Sequence, residues 1–326
     1  MKLVTIDTPS GGRLGAQFLD EILDLQAASG LEPLADWLPT STTRLIRAGG
    51  EGFAVVRRQL AKLASISDDE RESLRQKGLL TPLASTALRA PAQPSFVFCM
   101  GRAYNSHRQE MMGDARAARE RAAPTGFIKN VHAITGPYNP ICLPPAAPDM
   151  VDFEGEIAVV FNRRCHAVSP QEAMVHVLGF TVVNDVSARN WIDAGDDLNR
   201  MGKQFPTFLP MGPCIATIDE FDDPENLHFE TRLNGEVMQD ARTSDLVWSI
   251  PEIIAYFSRW YTFAAGDVLS TGTCGGVGVA RNPKVFLKDG DRVTVTVDGV
   301  GAISNPVTSS WRIFEPSPRI FRVHNL

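Results

Sequence analysis

The sequence lacks any apolar run close to the ~20 residues that a membrane-spanning helix needs, so we expect no membrane partner. It also lacks a dense basic stretch. Its 32 lysines and arginines are outnumbered by 38 aspartates and glutamates, which gives a net charge of -6. Nucleic-acid backbones are bound by concentrated positive charge, so this balance argues against a nucleic-acid partner. The opening residues, MKLVTIDTPSGGRLG, show no charged start followed by an apolar core, and no signal peptide is expected.

Cysteine is scarce, and its placement argues against two kinds of stabilising centre. The five cysteines are odd in number, widely scattered and include no C-x-x-C pair. In a chain of this size, that pattern indicates reduced thiols rather than a disulfide framework or a zinc site. Together with the missing signal peptide, it predicts a cytoplasmic protein. The five residues are Cys99, Cys142, Cys165, Cys214 and Cys274.

Residues 1–90 have the pattern of a small, separate α+β domain. The segment MKLVTI predicts a strand, and GGRLGAQFLDEILDL predicts two further strands around a turn. Phe53, Val56, Leu60 and Leu63 recur at helical spacing and predict an amphipathic helix. The proline-rich segment LRAPAQPS then predicts a domain boundary, and we expect the small domain to serve packing or dimerisation.

Residues 91–326 predict a larger domain that is mainly β. Short apolar segments such as SFVFCM, EIAVVF, GFTVVND and RVTVTVDG are bounded by glycine, proline, asparagine or aspartate, as strands often are. Two predicted helices each open with a capping box: SPQEAMVHVLG, ending at Gly179, and SIPEIIAYFSRWY, with Trp260 in its buried stripe. Many short strands with few helices favour an α+β fold with a β-sandwich or barrel-like body over a Rossmann sheet.

The segment from residue 107 to about 125 follows neither pattern, since HRQEMMGDARAARERAAPTG is charged and rich in alanine. A surface helix or a mobile lid over a site would fit this composition equally well. We take a lid at residues 107–125 as the working prediction.

The stretch DFEGEIAVVF joins three carboxylates to the apolar run of a buried strand. Side chains two apart on a strand share a face, which would place Asp152, Glu154 and Glu156 in one row. Like charges in a row repel, and a divalent cation would remove that penalty. Oxygen ligands suit Mg²⁺, Mn²⁺ or Ca²⁺, and the lack of a nearby histidine or cysteine disfavours zinc. The alternative is a solvent-facing row at the end of a strand.

Three later stretches also place polar residues next to apolar segments. GFTVVNDVSARN presents Asp185 and Arg189 after a strand, and MGKQFPTFLPMGP sets Lys203 and Gln204 among apolar residues. A buried lysine is rare without a partner, and an anionic, metal-bound substrate would supply one. The glycine-rich turn of GDVLSTGTCGGVG has hydroxyls and amides that could hold a carboxylate, whereas a nucleotide site there is only weakly indicated.

These four stretches, in this order and spacing, resemble the motifs of the fumarylacetoacetate hydrolase superfamily. They read DFEGEIAVV, GFTVVNDVSARN, GKQFPTFLPMGP and GDVLSTGTCGGVG, and LNGEVMQDARTSDLVWSIPEII also resembles the family's segment before its last helix. The resemblance covers about residues 94–307. It implies a catalytic domain folded as a mixed β-sandwich roll, a homodimer and a site for Mg²⁺ or Mn²⁺, with Ca²⁺ as a substitute.

Carried over position by position, the resemblance implies a metal site whose ligands are Glu154, Glu156 and Asp185, with Asp152 in a supporting role. Lys203 is implied as a catalytic residue that contacts the substrate's developing oxyanion. The implied substrate-binding residues are Arg102, Tyr104, Arg189, Gln204 and Thr273, although Arg189 could equally brace Asp185.

The segment GRAYNSHRQE resembles the family's G-R-N-Y-x-x-H-x-x-E, which implies that His107 and Glu110 activate water. Residues three apart on a helix lie on one face, so Glu110 can orient the imidazole and stabilise its protonated form. Without the resemblance, a surface His-Glu pair would be the favoured interpretation.

The sequence departs from the family pattern at three positions. Pro206 stands where aspartate is common, Cys274 replaces a proline, and Asn190 replaces the last aspartate of its motif. The first two border the implied substrate, so they bear on its identity. A thiol nucleophile at Cys274 is a weak alternative, because no histidine is near it in the sequence.

The resemblance implies a metal-dependent hydrolase that cleaves the C–C bond of a 2,4-dioxo acid, of the fumarylacetoacetate or acylpyruvate type, in the catabolism of aromatic compounds. Metal chelation of an enolate also serves a 2-oxo-acid hydratase, isomerase or decarboxylase, which is the first alternative. A non-catalytic β-sandwich binding domain with structural Ca²⁺ is the alternative from another class. It would leave Lys203 and the His107–Glu110 pair without an explanation.

Overall fold

The computed structural model describes residues 1–9, 11–112, 123–192 and 201–311. Its helices are α1 (Thr42–Ala48), α2 (Gly50–Ser65), α3 (Asp68–Gln76), α4 (Asn105–Met112), α5 (Pro170–Ala173) and α6 (Ile250–Ser258). Its strands are β1 (Lys2–Thr8), β2 (Gly11–Phe18), β3 (Glu21–Asp24), β4 (Leu80–Pro82), β5 (Leu88–Arg89), β6 (Val97–Gly101), β7 (Thr125–Lys129), β8 (Ile134–Thr135), β9 (Ile141–Cys142), β10 (Val151–Asp152), β11 (Gly155–Phe161), β12 (Val177–Asn184), β13 (Ser187–Ala188), β14 (Leu209–Thr217), β15 (His228–Leu233), β16 (Glu236–Arg242), β17 (Val268–Thr273), β18 (Arg292–Val297) and β19 (Gly301–Thr308). Within these ranges, no helix is long and apolar enough to cross a membrane.

Most strands form one large mixed sheet, whose order is β4-β3-β2-β1-β14-β12-β11-β17-β6-β7, with β5 paired to β1 and β8 to β14. A second sheet, of order β16-β15-β18-β19-β9, packs against β11, β12 and β14. The short strands β10 and β13 form a separate pair. The expected α+β fold, mainly β and with a sandwich of two sheets, is confirmed.

The strands β11 and β12 lie at the centre of the sandwich, and every residue of both is buried. A strand covered on both faces has no solvent side, which explains the unbroken apolar run from Ile157 to Phe161. Helix α6 covers part of the large sheet, where the ring of Phe257 lies 4.4 Å from that of Phe98 on β6. The alternate residues of β6 therefore face away from α6.

The first strands of the chain extend the large sheet. β1 runs antiparallel to β14, with Leu3 opposite Ile215. The ammonium group of Met1 donates to Thr217 Oγ1 at 2.8 Å and pairs with Glu220. A domain division at residue 90 stays a prediction, and strands on both sides of it share main-chain hydrogen bonds.

Both predicted capping boxes are present, at Ser169 and Ser249. The first predicted helix is nevertheless wrong at its end, because α5 gives way to a 3₁₀ turn at Met174–His176. Gly179 lies inside β12, where a Cβ atom would come within 1.9 Å of a main-chain oxygen of β14. Trp260 is also misplaced by the prediction, since α6 ends before it and its side chain is 69% exposed.

Gly155, between the two glutamates of DFEGEIAVVF, lies where β11 approaches the second sheet. A Cβ atom at this position would stand 2.0 Å from Thr231 Oγ1 on β15 and 3.0 Å from a methyl group of Val295 on β18. Only glycine fits such a gap without displacing the neighbouring strands. The position of Glu154 and Glu156 is therefore tied to the packing of the two sheets.

Gly155→Ala should destabilise the protein by about 1–3 kcal/mol, the usual range for an overpacked core position. Urea denaturation of the metal-free protein measures this cost. Gly30→Ala is the matched control, because a Cβ atom there meets nothing within 4 Å. Equal free energies of unfolding for the two variants would show that the sheets can separate at Gly155 without cost.

Candidate metal centre and active site

The carboxylates of the predicted metal site meet where β11 begins and β12 ends. Gly155 lies opposite Asn184 in the ladder between the two strands. The amide of Asp185 donates to the carbonyl oxygen of Glu154 at 2.8 Å, and the amide of Glu154 donates to Asn184 Oδ1 at 2.9 Å. Glu154 is 5% exposed, and Glu156 and Asp185 are fully buried. The alternative of a solvent-facing row is therefore wrong.

Asp152 departs from the single row that the sequence predicted. It ends the separate strand β10, and its carboxylate accepts from Arg189 Nε at 2.8 Å and from the amides of Gly278 and Val279 at 2.8 and 3.0 Å. Arg189 also forms an ion pair with Glu154 at 2.8 Å. Arg189 thus braces Asp152 and Glu154 rather than Asp185, and its predicted contact with the substrate stays a prediction.

Two lysines hold the carboxylate of Asp185. Lys203 Nζ lies 2.7 Å from Asp185 Oδ2 and 2.6 Å from Glu154 Oε2. Lys129, a residue that the sequence analysis missed, places its fully buried Nζ 2.6 Å from Asp185 Oδ1. Burial disfavours the ammonium form of Lys203, but the charges of Asp185 and Glu154 outweigh this effect and raise its pKa. Both lysines therefore act as counter-ions for the buried acids.

The two glutamates differ in their electrostatic surroundings. Burial alone would raise the pKa of Glu154, but the positive charges of Lys203 and Arg189 prevail and lower it to about 2. Burial raises the pKa of Glu156 well above its usual value, and the negative charges of Asp185 and Glu154 add to this effect. Glu156 is thus the member of the cluster whose negative charge is least compensated by the described residues.

The surroundings of Glu156 fit a divalent cation. Ser270 donates to its Oε2, while its Oε1 is buried and has no hydrogen-bond partner among the described residues. A donor atom of Glu156 lies within 4.8 Å of donor atoms of Asp185 and Cys99. Carboxylate oxygens are the ligands that hard dications prefer. Both oxygens of Asp185 already accept from ammonium groups, Oδ1 from Lys129 and Oδ2 from Lys203.

The His107–Glu110 pair forms as expected on α4. His107 Nδ1 lies 2.7 Å from Glu110 Oε1, and Glu110 Oε2 accepts from the amide of Gly276 at 2.7 Å. With Nδ1 bound to the carboxylate, Nε2 is the nitrogen left to exchange a proton, and no described residue offers it a hydrogen bond. His107 is 7% exposed, so the pair is not the surface pair of the alternative interpretation.

A cleft of about 580 Å³ opens above this cluster. Six of the predicted site residues line it: Arg102, His107, Glu154, Arg189, Lys203 and Thr273. Glu156 and Asp185 lie below its floor. Arg102 is exposed at the cleft with a φ angle of 51°, a conformation that non-glycine residues rarely adopt. The cleft thus combines a histidine base with several cationic groups.

Three predicted substrate contacts are placed differently by the structure. Tyr104 is fully buried against Phe229 and does not line the cleft, because its ring completes the core. Gln204 is bound at the end of β7, where its Nε2 donates to the carbonyl oxygen of Ile128 at 3.1 Å and its Oε1 accepts from the amide of Asn130, just after the strand, at 2.7 Å. The hydroxyl of Thr273 donates to the carbonyl oxygen of Gly155 at 2.9 Å, so its proton is not free for a substrate carboxylate.

Gln239 is a second residue that the sequence analysis missed. Its Nε2 donates to Thr273 Oγ1 at 2.7 Å, and its Oε1 accepts from the amide of Gly155 at 3.0 Å. It comes from β16, so the second sheet holds the backbone between the two glutamates in place. The segment LNGEVMQDA alternates too irregularly to have singled it out.

Two other predictions concern the edge of the site. The lid at residues 107–125 lies largely outside the described residues, which include only 107–112 and 123–125 of it. The weak alternative of a Cys274 nucleophile loses support, because the thiol is buried and burial raises its pKa to about 12.

A buried carboxylate cluster beside a His-Glu pair, on a sandwich of two sheets, defines an enzyme site, and comparison with known proteins identifies its family. The family described as fumarylacetoacetate (FAA) hydrolase C-terminal matches residues 96–308. Bovine mitochondrial oxaloacetate tautomerase FAHD2A is 37% identical over 312 residues, covering 94% of this chain and 91% of that protein. The chain belongs to the fumarylacetoacetate hydrolase family, as the motifs indicated.

Solved structures with this fold include enzymes of different kinds. A fumarylacetoacetate hydrolase from Exiguobacterium antarcticum superposes with a TM-score of 0.75 at 29% identity, covering 95% of this chain and all of that one. A maleylpyruvate hydrolase from Sphingobium sp. SYK-6, in complex with manganese(II) and pyruvate, gives a TM-score of 0.69 at 29% identity, covering 94% and 99%. The similar proteins agree in their family but differ in their reactions, since they include both hydrolases and a tautomerase.

Glu156→Gln should raise the thermal stability of the metal-free protein at neutral pH and abolish its stabilisation by added Mg²⁺ or Mn²⁺. A carboxyl with a raised pKa contributes stability while it is protonated, and that contribution is lost as the pH rises above the ordinary value of 4.5. Glutamine carries no charge to lose. We expect a gain of a few degrees, since 1 kcal/mol is worth roughly 2–4 °C in a large domain.

Thermal unfolding in EDTA, at neutral pH and near pH 4.5, measures this effect, and the two proteins should converge at the lower pH. Glu236→Gln, at an exposed position of β16, is the matched control and should change nothing. A metal-free Glu156→Gln protein less stable than wild type at neutral pH would contradict the assignment.

Proposed function

We propose that the protein is a metal-dependent enzyme that interconverts the keto and enol forms of a short 2-oxo dicarboxylate such as oxaloacetate. The observation that carries this proposal is the His107 side chain facing a cleft whose floor bears the ammonium group of Lys203. Tautomerisation needs little more than one proton carrier and a cationic site for an enolate oxygen. The 37% identity to a bovine protein named an oxaloacetate tautomerase extends over 94% of this chain and adds support.

In the proposed reaction, His107 Nε2 takes a proton from C3 of the keto acid. Glu110 accepts a hydrogen bond from Nδ1 and stabilises the imidazolium that results, and Gly276 holds Glu110 in turn. The electron pair of the broken C–H bond forms the C2–C3 double bond, and negative charge moves to the C2 oxygen. The imidazolium of His107 then gives its proton to that oxygen, which completes the enol and restores the neutral imidazole.

The cationic groups of the cleft stabilise the charge on the C2 oxygen. A divalent cation held by Glu156 and Asp185 would polarise the 2-oxo group as a Lewis acid. Lys203, on the cleft floor, would donate to the enolate oxygen beside its ion pair with Glu154. Arg102, exposed at the cleft, is placed to attract the second carboxylate of a dicarboxylic substrate.

Hydrolysis of a 2,4-dioxo acid, the reaction implied by the resemblance, is the second candidate. The His107–Glu110 pair favours it, because the same Nε2 could take a proton from water that attacks the distal carbonyl. The structural similarity to a maleylpyruvate hydrolase, described as a complex with manganese(II) and pyruvate, supports it as well. A role in aromatic catabolism belongs to this second candidate.

Several further properties remain part of the proposal. Mg²⁺ or Mn²⁺ is the proposed metal, with manganese named in one similar structure. A homodimer and a cytoplasmic location are proposed, although the bovine relative is named as mitochondrial. The first 90 residues are proposed to form a packing domain.

Two substrate assays distinguish the candidates. Oxaloacetate enriched in its enol form should lose its enol absorbance faster with the enzyme than in buffer, and EDTA should remove the difference. Acylpyruvates should release little pyruvate in a coupled lactate dehydrogenase assay. Rapid, stoichiometric pyruvate release without acceleration of tautomerisation would replace the first candidate by the second.

His107→Gln should lower the tautomerisation rate by about 10²–10⁴-fold, the usual contribution of a positioned acid-base group. Glutamine retains a hydrogen-bonding side chain but cannot carry the proton. His132→Gln, at an exposed histidine outside the cleft, is the matched control and should leave kcat unchanged. A His107→Gln variant with full activity and wild-type pH dependence would exclude His107 as the proton carrier.

A further inference from the structure

Helix α4, which carries His107 and Glu110, begins after a residue that cannot cap it. That residue is Tyr104, whose hydroxyl is buried in the core, 3.4 Å from Thr271 Oγ1. The first amides of a helix have no partner inside the helix, and an acidic, amide or hydroxyl side chain just before it usually accepts from one of them. Because Tyr104 offers no such group, the first turn of α4 needs a partner from another segment.

Asp245, in the 3₁₀ turn that follows β16, is this partner, 139 positions along the chain from Ser106. Its Oδ2 accepts from the amide of Ser106 at 3.1 Å and from the hydroxyl of the same residue at 2.6 Å. Its carbonyl oxygen accepts from Asn105 Nδ2 at 2.8 Å. A carboxylate at the first turn is also favoured by the dipole of the helix. Asp245 therefore holds the first two residues of α4.

The glycine-rich turn after β17 holds α4 at two further points. The amide of Gly275 donates to Ser106 Oγ at 3.0 Å, and the amide of Gly276 donates to Glu110 Oε2 at 2.7 Å. Ser106 and Glu110 are four residues apart, so they lie on one face of the helix. The serine hydroxyl thus links this turn to the capping carboxylate, and His107 lies between the two held positions.

We propose that Asp245 is a positioning residue for the His107–Glu110 pair, because it fixes the start of the helix that carries both side chains. Asp245 does not line the cleft, so it acts on the reaction only through α4. Misplacing a reacting group by about 1 Å can slow a reaction about 100-fold. The effect falls on proton transfer, while Lys203 and Arg102 stay in place to bind the substrate. Only the kinetic part of this inference rests on the proposed function.

Asp245→Ala and Asp245→Asn test the proposal in the full-length protein loaded with Mg²⁺. Alanine removes the acceptor, whereas asparagine keeps an oxygen for Ser106. We expect Asp245→Ala to lower kcat for tautomerisation by about 10–100-fold with KM nearly unchanged, and Asp245→Asn to restore most of kcat. Wild-type kcat in Asp245→Ala, or a loss seen in KM alone, would overturn the proposal.

Ser67→Ala is the matched control for the loss of a helix cap. Ser67 caps α3, where its Oγ accepts from the amide of Glu70 at 3.3 Å, and it does not line the cleft. This variant should unfold at a lower temperature than wild type and keep its kcat. A fall in kcat equal to that of Asp245→Ala would attribute both effects to general destabilisation and refute the positioning role.

The ring signals of His107 in the ¹³C NMR spectrum, assigned with His107→Gln, provide a measurement that needs no activity. They should shift in Asp245→Ala and stay near their wild-type positions in Asp245→Asn. Unchanged signals in Asp245→Ala would overturn the positioning role whatever the reaction is. A shift in a protein without tautomerase activity would support the positioning role and reject the proposed function instead. If Asp245→Ala does not fold, Ser106→Ala, which removes the hydroxyl contact, serves for the same comparison.

Discussion

Four carboxylates are buried within one small region, and this constrains how the surrounding strands and side chains are arranged. An ionised carboxylate without a partner in a protein interior costs several kcal/mol, so each of these groups requires compensation. The described residues supply three cations for four acids, and all three lie on segments distant in sequence from the strand that begins at Gly155. The four acids are Asp152, Glu154, Glu156 and Asp185, and the three cations are Lys129, Arg189 and Lys203.

Glu156 is the acid left without a cationic partner among the described residues, and this distinguishes its chemistry from that of Glu154. Glu154 receives two cationic partners, so its charge is fixed and its oxygens are occupied. Among the described residues, Glu156 receives only a serine hydroxyl, so one of its oxygens would be available to an external ion. The two glutamates of DFEGEIAVVF look equivalent in the sequence but have different surroundings in the fold. Their alternation along a strand does not indicate which cations lie next to each of them.

How far the site could be predicted follows from how far apart its members lie in sequence. Glu154, Glu156 and the His107–Glu110 pair are short-range patterns, and motif resemblance located them. Lys129 and Gln239 reach the site only through the order of strands in the two sheets, which local periodicity does not encode. The predicted helix through Gly179 failed for the same reason, since contact with β14, not local propensity, fixes that residue in a strand.

The second sheet is more than a cover for the core. Gln239 on β16 binds both the amide of Gly155 and the hydroxyl of Thr273, so it joins β11, β17 and the second sheet at one point. Absence of a side chain at Gly155 permits this approach. Small shifts between the sheets would move the glutamates directly, which places the rigidity of the centre in the sandwich and not in the cleft.

The two lysine ammonium groups that pair with Asp185 have a consequence for the order of folding and metal binding. Many small metal-binding domains fold only with their metal, whose binding free energy drives folding. Here Lys129 and Lys203 already neutralise Asp185, so the chain can complete its fold before any ion arrives. Binding of a divalent cation at this cluster would then be a late and exchangeable step.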